Sequence, residues 1–130
     1  MAADSTATQK RALVVDDDIT IVEYVSAVLR RAGYHVETAS DGMTALEMYR
    51  ASRFDAVVCD LRMPKLSGIS FLKNLRLTAQ SACRVVLLSA MDDPAIRREA
   101  VEAGAVAYLL KPASSNAIID AVSGVTAAQS

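Results

Sequence analysis

Ala12-Leu13-Val14-Val15-Asp16-Asp17-Asp18 is the stretch whose reading decides the fold. Four apolar residues with no polar break suit a short strand covered on both faces. The three aspartates end it. Apolar residues then recur at Ile21, Val22, Val25, Val28, Leu29 and Ala32, one face of a helix, and Gly33 follows. A buried strand that passes through a polar turn into an amphipathic helix is the repeating unit of an α/β domain.

The same unit recurs along the chain. Further apolar runs stand at Val36–Ala39, Ala56–Cys59, Val85–Leu88 and Ala105–Leu110. The second, with His35, Glu37 and Thr38, is the most polar and reads as an edge strand. Helical spacing returns at Ala45, Leu46 and Tyr49, at Ile69, Leu72 and Leu75, and at Ile118, Ala121, Val122 and Val125. Pro94–Ala103 is the weakest helix, with a thin, Ala-rich apolar face. Gly33, Gly42, Gly68, Gly104 and Gly124 all sit at element ends. Asp18, Asp41 and either Asp92 or Asp93 are placed to cap helices, and Pro94 suits a first helical turn. The expectation is a doubly wound α/β domain over residues 11–126, a disordered lead at 1–10 and a tail at 127–130 that is a frayed helix end or a linker.

Composition removes several classes. The chain has 130 residues, enough for one domain, and a net charge of −1. No basic excess suggests a nucleic-acid footprint. The longest apolar run is far short of the roughly 20 residues a membrane helix needs, and the first residues lack a signal-peptide pattern. Cys59 and Cys83 fall near opposite ends of different strands, too far apart for a disulfide. They read as buried free thiols of a cytoplasmic protein.

Ligands of doubly wound sheets bind beyond the carboxyl ends of the strands. At those ends stand Asp16, Asp17 and Asp18, then Asp60, then Ser89, then Lys111-Pro112. Taken singly, each has an ordinary reading as a turn or a cap, and Asp18 reads as a cap. Together they describe one pocket with about three carboxylates, a hydroxyl and a lysine. Unpaired charge of that kind is costly. An all-oxygen donor set beside phosphate chemistry favours Mg²⁺, and an aspartate can itself accept a phosphoryl group.

The residues Val14-Val15-Asp16-Asp17-Asp18, Asp60-Leu61-Arg62-Met63-Pro64 with Gly68, Leu87-Leu88-Ser89-Ala90 and Tyr108-Leu109-Leu110-Lys111-Pro112 resemble the receiver domain of two-component response regulators, chemotaxis-receiver-like. The resemblance implies a flavodoxin-like five-stranded parallel sheet, order 2-1-3-4-5, with five helices and a cis Lys111–Pro112 bond. It implies that Asp60 is the phosphoacceptor, served by a histidine kinase or phosphotransfer protein. Asp17 and, directly or through water, Asp16 would hold Mg²⁺ with Asp60 and the Arg62 backbone carbonyl. Lys111 would pair with phosphoryl oxygens and Ser89 would be the switch hydroxyl. Tyr108 would be the switch aromatic that turns inward when that hydroxyl moves. The output would be a changed surface on the fourth helix, fifth strand and fifth helix, read by a partner protein.

Some positions depart from that pattern. Ala113 stands where many receivers carry Phe, and Val106-Ala107 replaces an acidic pair seen in winged-helix regulators. Arg62 reads as pointing to solvent or touching the phosphoryl group. Arg97, Arg98, Glu99 and Glu102 read as a solvated helix face or a partner surface, and His35 as a surface residue. Two alternatives compete: a phosphorylation-independent interaction module, and an aspartyl phosphatase of the haloacid dehalogenase type. The second needs an acid two residues after Asp60, where Arg62 stands.

Overall fold

A computed structural model describes residues 9–63, 65–77 and 83–124. Strand and helix alternate throughout: β1 (Arg11–Val15), α1 (Ile19–Arg31), β2 (His35–Ala39), α2 (Gly42–Ala51), β3 (Ala56–Asp60), α3 (Gly68–Leu75), β4 (Arg84–Ser89), α4 (Pro94–Glu102), β5 (Ala107–Leu110) and α5 (Ser115–Ser123). The sheet order is β2-β1-β3-β4-β5, with every pair parallel. The polar second strand is an edge, as its composition indicates. The other edge is β5, which is apolar in sequence yet leaves Leu110 exposed.

Alternation along the strands divides the core in two. Leu13, Val15, Val57, Cys59, Val85, Leu87 and Tyr108 face one layer with Leu46, Tyr49, Phe71, Leu72 and Ala100. Ala12, Val14, Ala56, Val58, Val86 and Leu88 face the other, against Val25, Leu29, Ile118 and Val122 of α1 and α5. The nearly continuous apolar runs are therefore needed: both faces of β1, β3 and β4 are covered by helices.

The helix starts follow local chemistry. Asp18, Asp41 and Asp93 accept backbone N–H groups at the first turns of α1, α2 and α4, so Asp93 rather than Asp92 is the cap. Ser67 and Ser114 cap α3 and α5. The fifth strand begins at Ala107, two residues later than its apolar run. Gly104, at φ +109°, turns the chain out of α4, and Ala105 N–H returns to Ala100 C=O, so Ala105 closes the helix instead of entering the sheet. Most of the expected lead, Val125 and the tail at 127–130 lie outside the described residues. Both cysteines are buried and free; Cys83 sits one residue before β4. No described helix is long and apolar enough to cross a membrane.

Candidate functional site

The register of the sheet builds the site. Val15 pairs with Cys59, so the next residues, Asp16 and Asp60, come side by side where the strand order reverses between β1 and β3. Asp60 pairs with Leu88, and Ser89 stands one step beyond. Ser89 in turn pairs with Leu110, after which Lys111 follows through a cis bond to Pro112. Residues scattered over 95 positions of chain thus meet at one crevice. That crevice is the place where doubly wound sheets hold ligands.

Asp16, Asp17 and Asp60 bring carboxylate oxygens within 4.8 Å of one another. Lys111 Nζ lies 3.0 Å from Asp16 Oδ2 and 2.9 Å from Asp60 Oδ1. Asp16 is 2% exposed and also accepts Asp18 N–H at 2.9 Å, which fixes its orientation. Asp60 is 8% exposed. Burial raises its pKa and the Asp16 and Asp17 charges add to the rise, with Lys111 opposing them. Burial alone would lower the Lys111 pKa, but its bonds to Asp60 and Asp16 outweigh that and raise it. One ammonium among three carboxylates leaves a surplus of negative charge. An oxygen donor set of this kind fits a hard divalent cation such as Mg²⁺.

Next to Asp60 opens a cavity of about 190 Å³ lined by Leu61, Arg62, Ser89, Ala90, Met91 and Lys111. Ala90 keeps its wall small. The Ser89 hydroxyl donates to Met91 C=O at 3.2 Å and accepts Met91 N–H at 3.0 Å. Arg62 is exposed, and its guanidinium donates to Met91 Sδ at 3.1 Å across the mouth. At the floor, Gly68 N–H donates to Leu61 C=O at 2.8 Å, and a Cβ on Gly68 would stand 2.6 Å from the Asp60 backbone oxygen. Only glycine lets α3 start this close to the aspartate.

Tyr108 lies behind this group. It is 6% exposed, and its hydroxyl donates to the same Met91 carbonyl at 2.9 Å. The family resemblance implies a ring that turns inward when the Ser89 hydroxyl moves. Here the ring is inward while Ser89 still points to Met91. Arg97, read as part of a solvated helix face or a partner surface, covers this ring: Cζ stands 4.8 Å above its centroid. Arg98, Glu99 and Glu102 are exposed, and Glu99 pairs with Lys73 at 3.7 Å. His35 is exposed beside Glu37. Ala113 carries a contact that its size does not announce, accepting the Tyr24 hydroxyl at 2.8 Å through its backbone carbonyl. The roles of Met91 and Arg97 leave no trace in the sequence, because a main-chain acceptor and a helix-surface arginine have no spacing signature.

Residues 12–123 match the response regulator receiver domain family. The chain belongs to that family. Receiver relatives include the transcriptional regulatory protein ZraR of Klebsiella oxytoca, 41% identical over 77% of this chain and 22% of that protein. The response regulator MprA of Mycobacterium ulcerans is 42% identical over 78% of this chain and 44% of its own length. The chain therefore spans less than half of these curated relatives. Among solved structures, chemotaxis response regulator CheY4 of Vibrio cholerae superposes with a TM-score of 0.84 at 34% identity, covering 92% of this chain and all of that one. A response regulator from Burkholderia pseudomallei, solved with a phosphorylated aspartic acid, a calcium ion and citrate, gives 0.81 at 31% identity over 94% of this chain and 74% of its own. The family is that of the receiver domains of response regulators in two-component systems, a signalling family.

Proposed function

We propose that this receiver takes a phosphoryl group from a phosphohistidine of a histidine kinase or phosphotransfer protein onto Asp60, and passes the signal to a protein partner through α4, β5 and α5. The observation that carries the reading is the Asp16, Asp17 and Asp60 cluster bridged by Lys111 beside a small cavity. An Asp60 carboxylate oxygen forms the bond to phosphorus as the bond from phosphorus to the imidazole nitrogen breaks. Lys111 is placed to follow the charge on the phosphoryl oxygens. The product adds roughly −2 of charge and strong acceptors, and Ser89 and Lys111 are the donors on hand to bind it. That gives the two forms of the domain different energies, which is the requirement for a switch.

The carboxylates of Asp16, Asp17 and Asp60, with the Arg62 carbonyl, would hold Mg²⁺. Bound there, the ion supplies neutralisation of the developing phosphoryl charge. The surplus of carboxylates over lysine supports its presence. The test is incubation of the chain with acetyl phosphate and Mg²⁺. Acyl phosphate should form on Asp60, vanish in Asp60→Asn and fall sharply in Asp17→Asn. Equal labelling of Asp60→Asn and wild type would refute the assignment.

A further inference from the structure

We infer that Arg97 is a positioning residue that holds Tyr108 inward while the Ser89 hydroxyl is still turned to Met91, so that the ring does not depend on movement of that hydroxyl. The clamp has two jaws. On one side the Tyr108 hydroxyl donates to Met91 C=O at 2.9 Å. On the other the Arg97 guanidinium covers the ring at 4.8 Å and donates through Nη1 to Tyr108 C=O at 3.3 Å. Arg97 is itself steadied by Asp92, with Nη2 to Oδ1 at 3.2 Å. One arginine thus ties the start of α4 to β5 around the tyrosine.

Ser89 does not compete with this arrangement. Its hydroxyl reaches the same Met91 carbonyl at 3.2 Å, and a carbonyl oxygen has two lone pairs. Serine and tyrosine are accommodated together, so the ring need not wait for the serine to leave. Moving the ring outward would break its hydroxyl bond, expose an aromatic face and strip Arg97 of its stacking partner. The inference extends the phosphoacceptor reading of Asp60 and depends on it only where a phosphoryl analogue is added.

The test uses the full chain with 3-fluorotyrosine incorporated, followed by fluorine NMR with a soluble gadolinium chelate that relaxes solvent-exposed rings. Tyr108→Phe assigns the resonance. Without Mg²⁺ or phosphodonor, Tyr108 should be as protected as the fully buried Tyr49, in contrast to Tyr24, which is 42% exposed. Arg97→Ala should raise chelate-induced relaxation of Tyr108 roughly two- to fivefold, the scale of losing an exposed cation–π contact. Arg98→Ala should leave it unchanged. Arg97 is at the surface, 43% exposed in its side chain, so the fold should survive, and Arg97→Gln repeats the test with less loss of volume. With Mg²⁺ and beryllofluoride, the Tyr108 resonance of wild type should stay put and that of Arg97→Ala should return toward it. A resting wild type in which the chelate relaxes Tyr108 as strongly as Tyr24, or no difference between wild type and both Arg97 variants, overturns the inference. A Tyr108 resonance of Arg97→Ala that beryllofluoride leaves unmoved would count against Asp60 as phosphoacceptor, with the resting comparison still deciding the role of Arg97.

Discussion

Gly68→Ala should separate the geometry of the phosphoacceptor from the stability of the fold. A Cβ at this position would stand 2.6 Å from the Asp60 backbone oxygen, 3.1 Å from Leu61 Cα and 3.3 Å from the Asp60 carbonyl carbon. The first distance is about 0.8 Å short of the 3.4 Å at which ordinary contact begins. Each of these atoms is backbone, so no side chain can swing aside. Either α3 retreats or the end of β3 moves, and the Gly68 N–H bond to Leu61 C=O resists both. Overpacking of this kind costs about 1–3 kcal/mol. A shift approaching 1 Å beside a nucleophile can lower its rate by up to about 100-fold.

The comparison variant is Gly33→Ala. Gly33 has φ +99° and no atom within 4 Å of the added Cβ, so its cost is backbone strain, about 1–2 kcal/mol, far from Asp60. Urea unfolding measures the stability of both. The rate of acyl phosphate formation, per folded molecule, measures the site. Both variants should lose stability, and only Gly68→Ala should lose rate. Wild-type stability in Gly68→Ala, or equal rate losses in the two, would refute the reasoning.

Lys111→Met should destabilise the fold by about 2 kcal/mol at neutral pH, between the values for exposed and buried ion pairs, as read by urea unfolding. Because its partners raise the Lys111 pKa, its contribution is complete below the unfolded value of 10.5 and fades as pH climbs through the folded one. The gap between wild type and variant should therefore be flat near neutrality and close in strong alkali. Without Mg²⁺, carbon NMR of the Asp60 carboxyl should show it titrating above the ordinary 3.8, because burial and the neighbouring carboxylates raise its pKa; a midpoint below 3.8 would contradict that. Burial pushes the Cys83 thiol up to about 11 and Cys59 well above its usual value, so a disulfide thiol reagent at pH 8 should react with neither until urea unfolds the chain.

Much was legible because it is local. The run at Ala12–Val15 is apolar on both faces, and a strand so composed must be covered twice. Asp18 and Asp41 mark helix starts through bonds within a single turn, and Pro94 through its fixed φ. The cluster of Asp16, Asp17, Asp60, Ser89 and Lys111 could be assembled from the sequence because the crevice lies at the carboxyl ends of the strands, and each residue could be assigned to one. The start of β5 is not legible because Ala105 and Val106 are as apolar as a strand, and only the left-handed turn at Gly104 sends Ala105 N–H back to Ala100 C=O while Val106 N–H already reaches Val85 C=O.

By itself, then, the sequence determined the order of elements, the double-faced burial and the residue types at the crevice, since periodicity and capping depend on neighbours in the chain. Only the tertiary structure decided that Lys111 touches both Asp16 and Asp60, that Met91 C=O receives both Ser89 and Tyr108, and that the half-exposed Arg97 lies over an aromatic ring. Those contacts join different strands and helices. Their distances are set by sheet register and packing, which no single stretch of sequence contains.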